Sequence, residues 1–284
     1  MYDNPLQPRD KWPDYLDNKL KKYLGESFVM KNALTNDELD EITINIFKDI
    51  KGFRTFTGGT LIWSRLTHGT LDLIWDIVYN KLKDKLSWLN QKNICLHSNE
   101  EFCNSHIISG NGYITSTNYN LHYDSQEPED YYVKKLISVK AIIIPFFVCK
   151  KTDTESTFVT FKNRLFGWET NFSGSTTKGK VYGKRKQQNV IDYNSLPWIN
   201  DKGDPFEYDI NKWHISWDDY NAYLKHLPKE TYTGMVIENV LPYKANDILV
   251  IDTFQLHTTG YNENSMTTLK GGARFNIRKH IKNL

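Results

Sequence analysis

From about residue 106 the chain becomes a succession of short strand-like runs, and this pattern constrains the fold more than any other. GYITSTNYNLHYD, LISVKAIIIPFFVC and STFVTFKNRLF follow one another, dense in β-branched and aromatic residues. The same texture returns near the end as GMVIENVLPY, ANDILVIDTFQLH and GGARFNIRKHI. No regular βαβ alternation links these runs, and two helical patterns precede them. The expected fold is therefore mainly β with supporting helices: an antiparallel double sheet of the jelly-roll kind packed against N-terminal helices.

The first helix is announced by Thr35 as N-cap, with Glu38 three residues later completing a capping box. Leu39, Ile42, Ile46 and Ile50 then recur on one face. The second lies in TLDLIWDIVYNKLKDKLSWL, where Leu73, Ile74, Ile77, Val78, Leu82 and Leu86 form an apolar stripe with lysines opposite. Both stripes predict helices lying on a sheet. Residues 1–27 mix Pro, Asp, Lys and Trp without periodicity and read as an N-terminal arm. The remainder, 28–284, reads as a single domain with helical support at 28–100, a jelly-roll core from 106 and an insertion at about 167–230.

Bulk properties narrow the function classes. With 284 residues the chain can bury a sizeable core, and 36 Lys plus Arg against 34 Asp plus Glu leave no whole-chain electrostatic footprint for nucleic acid or membrane. Cys95, Cys103 and Cys149 have neither CxxC spacing nor a disulfide framework, which fits a reducing cytoplasmic setting. The opening residues are too charged for a signal peptide, and no apolar run approaches a membrane span.

Chemistry enters with His122 and Asp124, two apart in a strand-like run, so alternation places both side chains on one face. Chance alone supplies about 0.6 such HxD pairs in a chain of this composition, so context must carry the reading. The context is ANDILVIDTFQLHTTG, an apolar strand ending in His257, a third ligand from another strand. Two imidazoles and one carboxylate on one side of an iron leave the opposite positions open to small ligands. In GGARFNIRKHI, Arg274, Asn276 and Arg278 alternate with Phe275 and Ile277 and share one face. An arginine turned into an apolar barrel needs an anionic partner, and a carboxylate suits its bidentate geometry.

In this order, His122, Asp124, His257 and Arg274 resemble the signature of the Fe(II)/2-oxoglutarate dioxygenases: HxD, a distal His, then a basic residue on a later strand. The likeness extends over about residues 28–282. It implies a double-stranded β-helix, Fe(II) on His122, Asp124 and His257, 2-oxoglutarate as cosubstrate, O2, and ascorbate as an aid to activity. It also implies oxidative decarboxylation of 2-oxoglutarate to succinate, coupled by default to hydroxylation. Tyr113 stands where prolyl-hydroxylase-like and AlkB-like members often carry a cosubstrate-binding tyrosine, and Asn111, Arg274 and Asn276 resemble AlkB-like spacings. The opening FVMKNALTNDELDEI is similar to the lead-in of prolyl-hydroxylase-type domains. Against either subfamily, Arg274 follows His257 later than in prolyl hydroxylases, the Asp124 to His257 span exceeds that of AlkB-like enzymes, and Arg278 comes earlier than their second arginine.

Other readings stand beside these. Arg278 shares the face of Arg274 and competes for the cosubstrate, and Tyr113 is equally a core tyrosine with a bonded hydroxyl. Lys178, Lys180, Lys184, Arg185 and Lys186 form either a solvated loop or a phosphate-contacting hairpin, which would favour oxidative demethylation of a nucleic acid. Trp198, Trp213 and Trp217 make either a lid over substrate or a small core of the insertion. His68, His97, His106, His214, His226 and His280 have no partner at ligand spacing. The expected substrate is a small molecule or a protein side chain. The alternatives are an AlkB-like nucleic-acid demethylase, a jelly-roll binding module without turnover, and a metal-dependent isomerase.

Overall fold

The computed structural model describes residues 14–49, 54–56, 59–89, 94–96, 106–115, 121–123, 136–149, 156–167, 170–173, 180–182, 188–190, 196–261 and 269–284. In chain order its longer helices are α1 (Asp14–Leu20), α2 (Asn36–Asp49) and α3 (His68–Leu82). The early strands are β1 (Phe28–Met30), β2 (Arg54–Phe56), β3 (Gly59–Arg65), β4 (Ile94–Leu96), β5 (His106–Thr115), β6 (Leu121–Tyr123), β7 (Leu136–Cys149) and β8 (Thr157–Arg164). They are followed by β9 (Thr170–Ser173), β10 (Lys180–Tyr182), β11 (Gln188–Val190), β12 (Ile237–Pro242), β13 (Ile248–Asp252), β14 (Gln255–Thr259) and β15 (Leu269–His280).

The pairing is nested: β5 with β15, β6 with β14, β7 with β13 and β8 with β12, all antiparallel. First with last, second with next to last, is the path of one long hairpin rolled over on itself. Rolling it leaves β5, β15, β7 and β13 in one sheet and β6, β14, β8 and β12 in the other. This is a jelly roll. The first sheet is widened by β1 at one edge and by β3 and β2 at the other, with β4 running parallel to β5; the second is widened by β9, β10 and β11.

Strand alternation then divides the described apolar residues among three cores. On the helix side, Val139, Ile142, Ile144, Ala273, Phe275 and Ile277 pack with Leu39, Ile42 and Ile46 of α2 and Leu71, Ile74 and Val78 of α3. Between the sheets lie Tyr113, Ala141, Ile143, Phe158, Leu241, Tyr243, Leu249 and Ile251. On the outer face of the second sheet, Leu121, Val159, Phe161 and Leu256 are covered by Trp198, Ile215, Leu224, Tyr232 and Met235. Helix α2 comes so close to its sheet that a Cβ on Gly112 would stand 2.4 Å from Ile46 Cγ2; only glycine fits that approach.

The helix signals act as the sequence expects. Thr35 N–H donates to Glu38 Oε2 at 2.8 Å, and Glu38 N–H donates to Thr35 Oγ1 at 3.2 Å. Leu73 and Ile77 are only partly buried beside their core, whereas Leu86 beyond the helix end is buried; Ile50 lies outside the described residues.

The described part of the N-terminal segment packs onto the domain. Leu16, Leu20 and Tyr23 are buried in the helix-side core, and Tyr23 meets Trp88 edge-on at 5.1 Å. Their i, i+4, i+7 spacing is helical, but it lasts only two turns and is lost among the charged residues around it. Residues 24–27 continue as a strap into the sheet edges, while residues 1–13 lie outside the described residues. Among the described residues no helix is long and apolar enough to cross a membrane.

Candidate active site

Strands β6 and β14 pair so that His122 and His257 are direct Cα partners. Their neighbours Leu121 and Leu256 belong to the outer core, so alternation turns both histidines into the space between the sheets. The two rings stand 4.3 Å apart, centroid to centroid, inclined by 59°. Across the other edge of β14 the register shifts between Gln255 and His257, whose partners on β8 are Arg164 and Thr160. A bulge at this point re-aims the side chains that follow it.

His257 is 1% exposed. Its Nδ1 lies 2.9 Å from the carbonyl oxygen of Gln255. A carbonyl only accepts, so Nδ1 carries the proton and the neutral ring has its lone pair on Nε2, the tautomer a metal requires. Phe158 stacks on the ring at 5.0 Å and 27°, shielding it from water. Asp124, which follows directly on β6, lies outside the described residues. Among the described residues no group of three His, Cys, Asp or Glu gathers at one point.

The oxo-acid candidates lie across the interior on β15 and β5. Arg274 is in register with Asn111 on one side and Ile143 on the other. Because Ala273, Phe275 and Ile277 face the helices, the half-buried Arg274, Asn276 and Arg278 face inward. Arg278 pairs with Ile107 and Ser138. Four residues of strand, about 13 Å, separate it from Arg274. Tyr113 pairs with Gly272, the next inward rung from Arg274, and its hydroxyl meets that of Tyr243 at 2.6 Å.

The interior therefore gathers His122 and His257 on one sheet and Arg274, Asn276 and Tyr113 on the other. It also holds polar atoms the protein does not satisfy. Thr160 Oγ1, on a fully buried residue in register with His257, has no hydrogen-bond partner among the described residues, nor has the buried Asn276 Oδ1. Each such atom costs about 1–3 kcal/mol in an empty interior. Two convergent imidazoles, an inward guanidinium and orphaned polar atoms fit a metal with an anionic, oxygen-rich ligand.

A charge network tensions the start of β14. Arg164, fully buried, donates from Nε to Asp252 Oδ2 at 3.0 Å and from Nη2 to Glu238 Oε1 at 2.8 Å and to the carbonyl of Gly25 at 2.9 Å. Lys140 is ion-paired with the other oxygen of Asp252. Burial by itself lowers the Arg164 pKa, but Asp252 and Glu238 outweigh it and hold the group above its usual range. Gln255 joins through Glu238 and through Phe161, whose carbonyl accepts from Gln255 Nε2 at 2.8 Å. Gln255 also accepts a hydrogen bond from Ser27 Oγ. The residue whose carbonyl orients His257 is thus itself held from three sides.

Several residues named from sequence fall elsewhere. Trp198 and Trp213 pack in or against the outer core, and Trp217 is 56% exposed beside Trp213. Trp198 and Trp213 thus serve a core on the far face of the second sheet and not the interior. His226 packs on that outer side too, 3.2 Å from Thr258 Oγ1. Lys180 opens β10, while Lys178, Lys184, Arg185 and Lys186 lie outside the described residues, as do His97 and Cys103. Arg164, Asp252, Gln255 and Tyr243 were not singled out from sequence. Arg164 lies 74 residues from Glu238 and 88 from Asp252, Tyr243 lies 130 from Tyr113, and Gln255 lies 228 from Ser27, so no local spacing marks them.

No family model matches the chain, and no curated protein matches it. Among solved structures it is similar to the epimerase SnoN in complex with Fe3+, alpha ketoglutarate and nogalamycin RO, with 10% identity and a TM-score of 0.41 over 93% of this chain and 84% of that one. It is also similar to the viral collagen prolyl hydroxylase vCPH from Paramecium Bursaria Chlorella virus-1, with 10% identity and a TM-score of 0.41 over 90% and 96%. A third is the Fe(II)/(alpha)ketoglutarate-dependent dioxygenase TqaL, with 6% identity and a TM-score of 0.43 over 94% and 86%.

Proposed function

We propose that the chain is an Fe(II)- and 2-oxoglutarate-dependent oxygenase that hydroxylates a small molecule or a protein side chain, with residues 28–284 acting as one oxygenase domain. The observation that carries this reading is the register pair His122 and His257, turned into the same interior as Arg274. In this reading His122, His257 and Asp124 hold the iron through two imidazoles and a carboxylate. The Gln255 carbonyl fixes the His257 tautomer. Bound iron and 2-oxoglutarate would supply, with dioxygen, oxidative decarboxylation to succinate and carbon dioxide coupled to substrate oxidation.

The chain's part is to bind, orient and exclude water. Arg274 receives the far carboxylate of the oxo acid, and Tyr113 donates a hydrogen bond to it. Support for Arg274 over Arg278 comes from the ladder: Arg274 is one inward rung from Tyr113, and Arg278 is three. Asn111 is the rung partner of Arg274 on β5, and Asn276 stands on the next inward rung as a further polar group. Ile143, Leu249, Ile251 and Phe158 make the remaining wall apolar, which keeps water from competing for the reactive centre. The test is succinate formation from 2-oxoglutarate with Fe(II) and ascorbate, in the native chain and in His122→Ala. Metal-dependent succinate lost in the variant is expected; equal, metal-independent turnover in both would remove the proposal.

A further inference from the structure

Resting on that reading, we infer that Tyr243 is a positioning residue of the oxo-acid pocket: its hydroxyl orients the Tyr113 hydroxyl toward the carboxylate held by Arg274, and Gly272 makes room for the pair. Tyr243 follows β12 and, two residues on from Leu241, shares its face toward the space between the sheets. Its backbone is pinned there by a 2.8 Å hydrogen bond from Tyr243 N to the carbonyl of Ser156. Both tyrosines are 8% exposed, so neither hydroxyl relies on bulk solvent. Their oxygens stand 2.6 Å apart, at the short end of the O–H···O range.

The floor beneath them is built for this contact. A Cβ on Gly272 would stand 2.5 Å from Tyr243 Oη, 2.8 Å from Tyr113 Oη and 2.8 Å from the carbonyl oxygen of Ile144. Side chains do not come that close, and one of the three obstacles is backbone. Glycine at 272 is therefore the condition for both hydroxyls to lie over β15, one rung from Arg274.

Counting hydrogens gives the pair its role. Each phenol has one proton, and the acceptors it can meet include the other phenol, the Gly271 carbonyl 3.2 Å from Tyr243 Oη, and the incoming carboxylate. The carboxylate is the strongest acceptor and draws the Tyr113 proton. Tyr243 then turns its own proton from the long Gly271 contact to Tyr113 Oη. A phenol that accepts a hydrogen bond donates a stronger one. Tyr243 thus fixes where the Tyr113 oxygen sits and strengthens what it gives, without touching the oxo acid itself.

The experiment measures 2-oxoglutarate affinity by calorimetry on Mn(II)-loaded protein, where no turnover occurs, together with KM and kcat for the Fe(II) enzyme. Tyr243→Phe should weaken binding and raise KM for 2-oxoglutarate about 3- to 10-fold while kcat stays within about twofold. Tyr113→Phe should weaken 2-oxoglutarate binding at least as much, and the double variant should bind no worse than the worse single variant, because the hydroxyls act as a unit. Gly272→Ala, checked for folding by its melting curve, should weaken binding at least as much by displacing both hydroxyls. Native protein that binds 2-oxoglutarate with Tyr243→Phe unchanged, or with additive losses, overturns the role of Tyr243 alone. Native protein that does not bind 2-oxoglutarate at all overturns this inference together with the oxygenase reading.

Discussion

Two polar regions lie inside this β-roll, and they are built on opposite rules. Around Arg164, charge is balanced: two cations, Arg164 and Lys140, meet two carboxylates, Asp252 and Glu238, and backbone and Gln255 contacts fill in the rest. Around His257 the interior presents two imidazoles and an inward arginine, with Thr160 Oγ1 and Asn276 Oδ1 unanswered among the described residues. A satisfied buried network stabilises and specifies a fold, whereas an unsatisfied one costs stability that a ligand must restore. The first region holds the strands; on the proposed function, the second is the one that takes a ligand.

Substitutions can break that contrast, and the largest effect belongs to the histidines. His257→Ala should lower succinate formation by more than about 100-fold, beyond the usual cost of losing a contact one shell away from a metal. Its urea midpoint should remain near that of the native metal-free protein, since a region built for ligand is not what holds the chain together. A variant that unfolds instead would place His257 with the structural residues.

Asp252→Ala should behave in the opposite way. It strands Arg164 and Lys140 in the interior and should cost about 3–5 kcal/mol in urea unfolding. The folded fraction should keep its metal affinity. A loss below about 1 kcal/mol would mean the network is not the keystone its partners imply.

Arg274→Lys keeps the charge but loses the fork that grips a carboxylate, and should weaken 2-oxoglutarate binding about tenfold. Arg278→Lys should change it less than about twofold, because that residue lies about 13 Å along the strand. Titration of both variants decides between the two arginines, and the reverse ranking would move the anchor to Arg278. The smallest effect is expected of Thr160→Val, which removes an orphaned hydroxyl at nearly constant shape. It should leave ligand-free stability unchanged or raise it by up to about 1 kcal/mol. Destabilisation would show that Thr160 Oγ1 has a structural partner.

What the sequence made legible follows the same division. Strand alternation alone turns His122 and His257 to one face and Arg274, Asn276 and Arg278 to another, and the capping box at Thr35 is local chemistry that needs no tertiary contact. The Arg164 network could not be read this way. An arginine at a strand end looks solvent-exposed until Asp252, 88 residues on, is brought against it. Tyr243 was hidden for the same reason, since its partner Tyr113 is 130 residues away. The tryptophans of the insertion were equally ambiguous, because an aromatic run does not say which face of a sheet it covers; burial beside Phe161 and Leu256 assigns Trp198 to the outer one.

On the proposed function, His122 and His257 together hold a metal ion. The decisive measurement is anaerobic Fe(II) titration, read as bound metal after equilibrium dialysis. One equivalent held by the native protein, and loss of that equivalent in both His122→Ala and His257→Ala at unchanged fold, is the predicted result. Undiminished iron binding in either variant would contradict it.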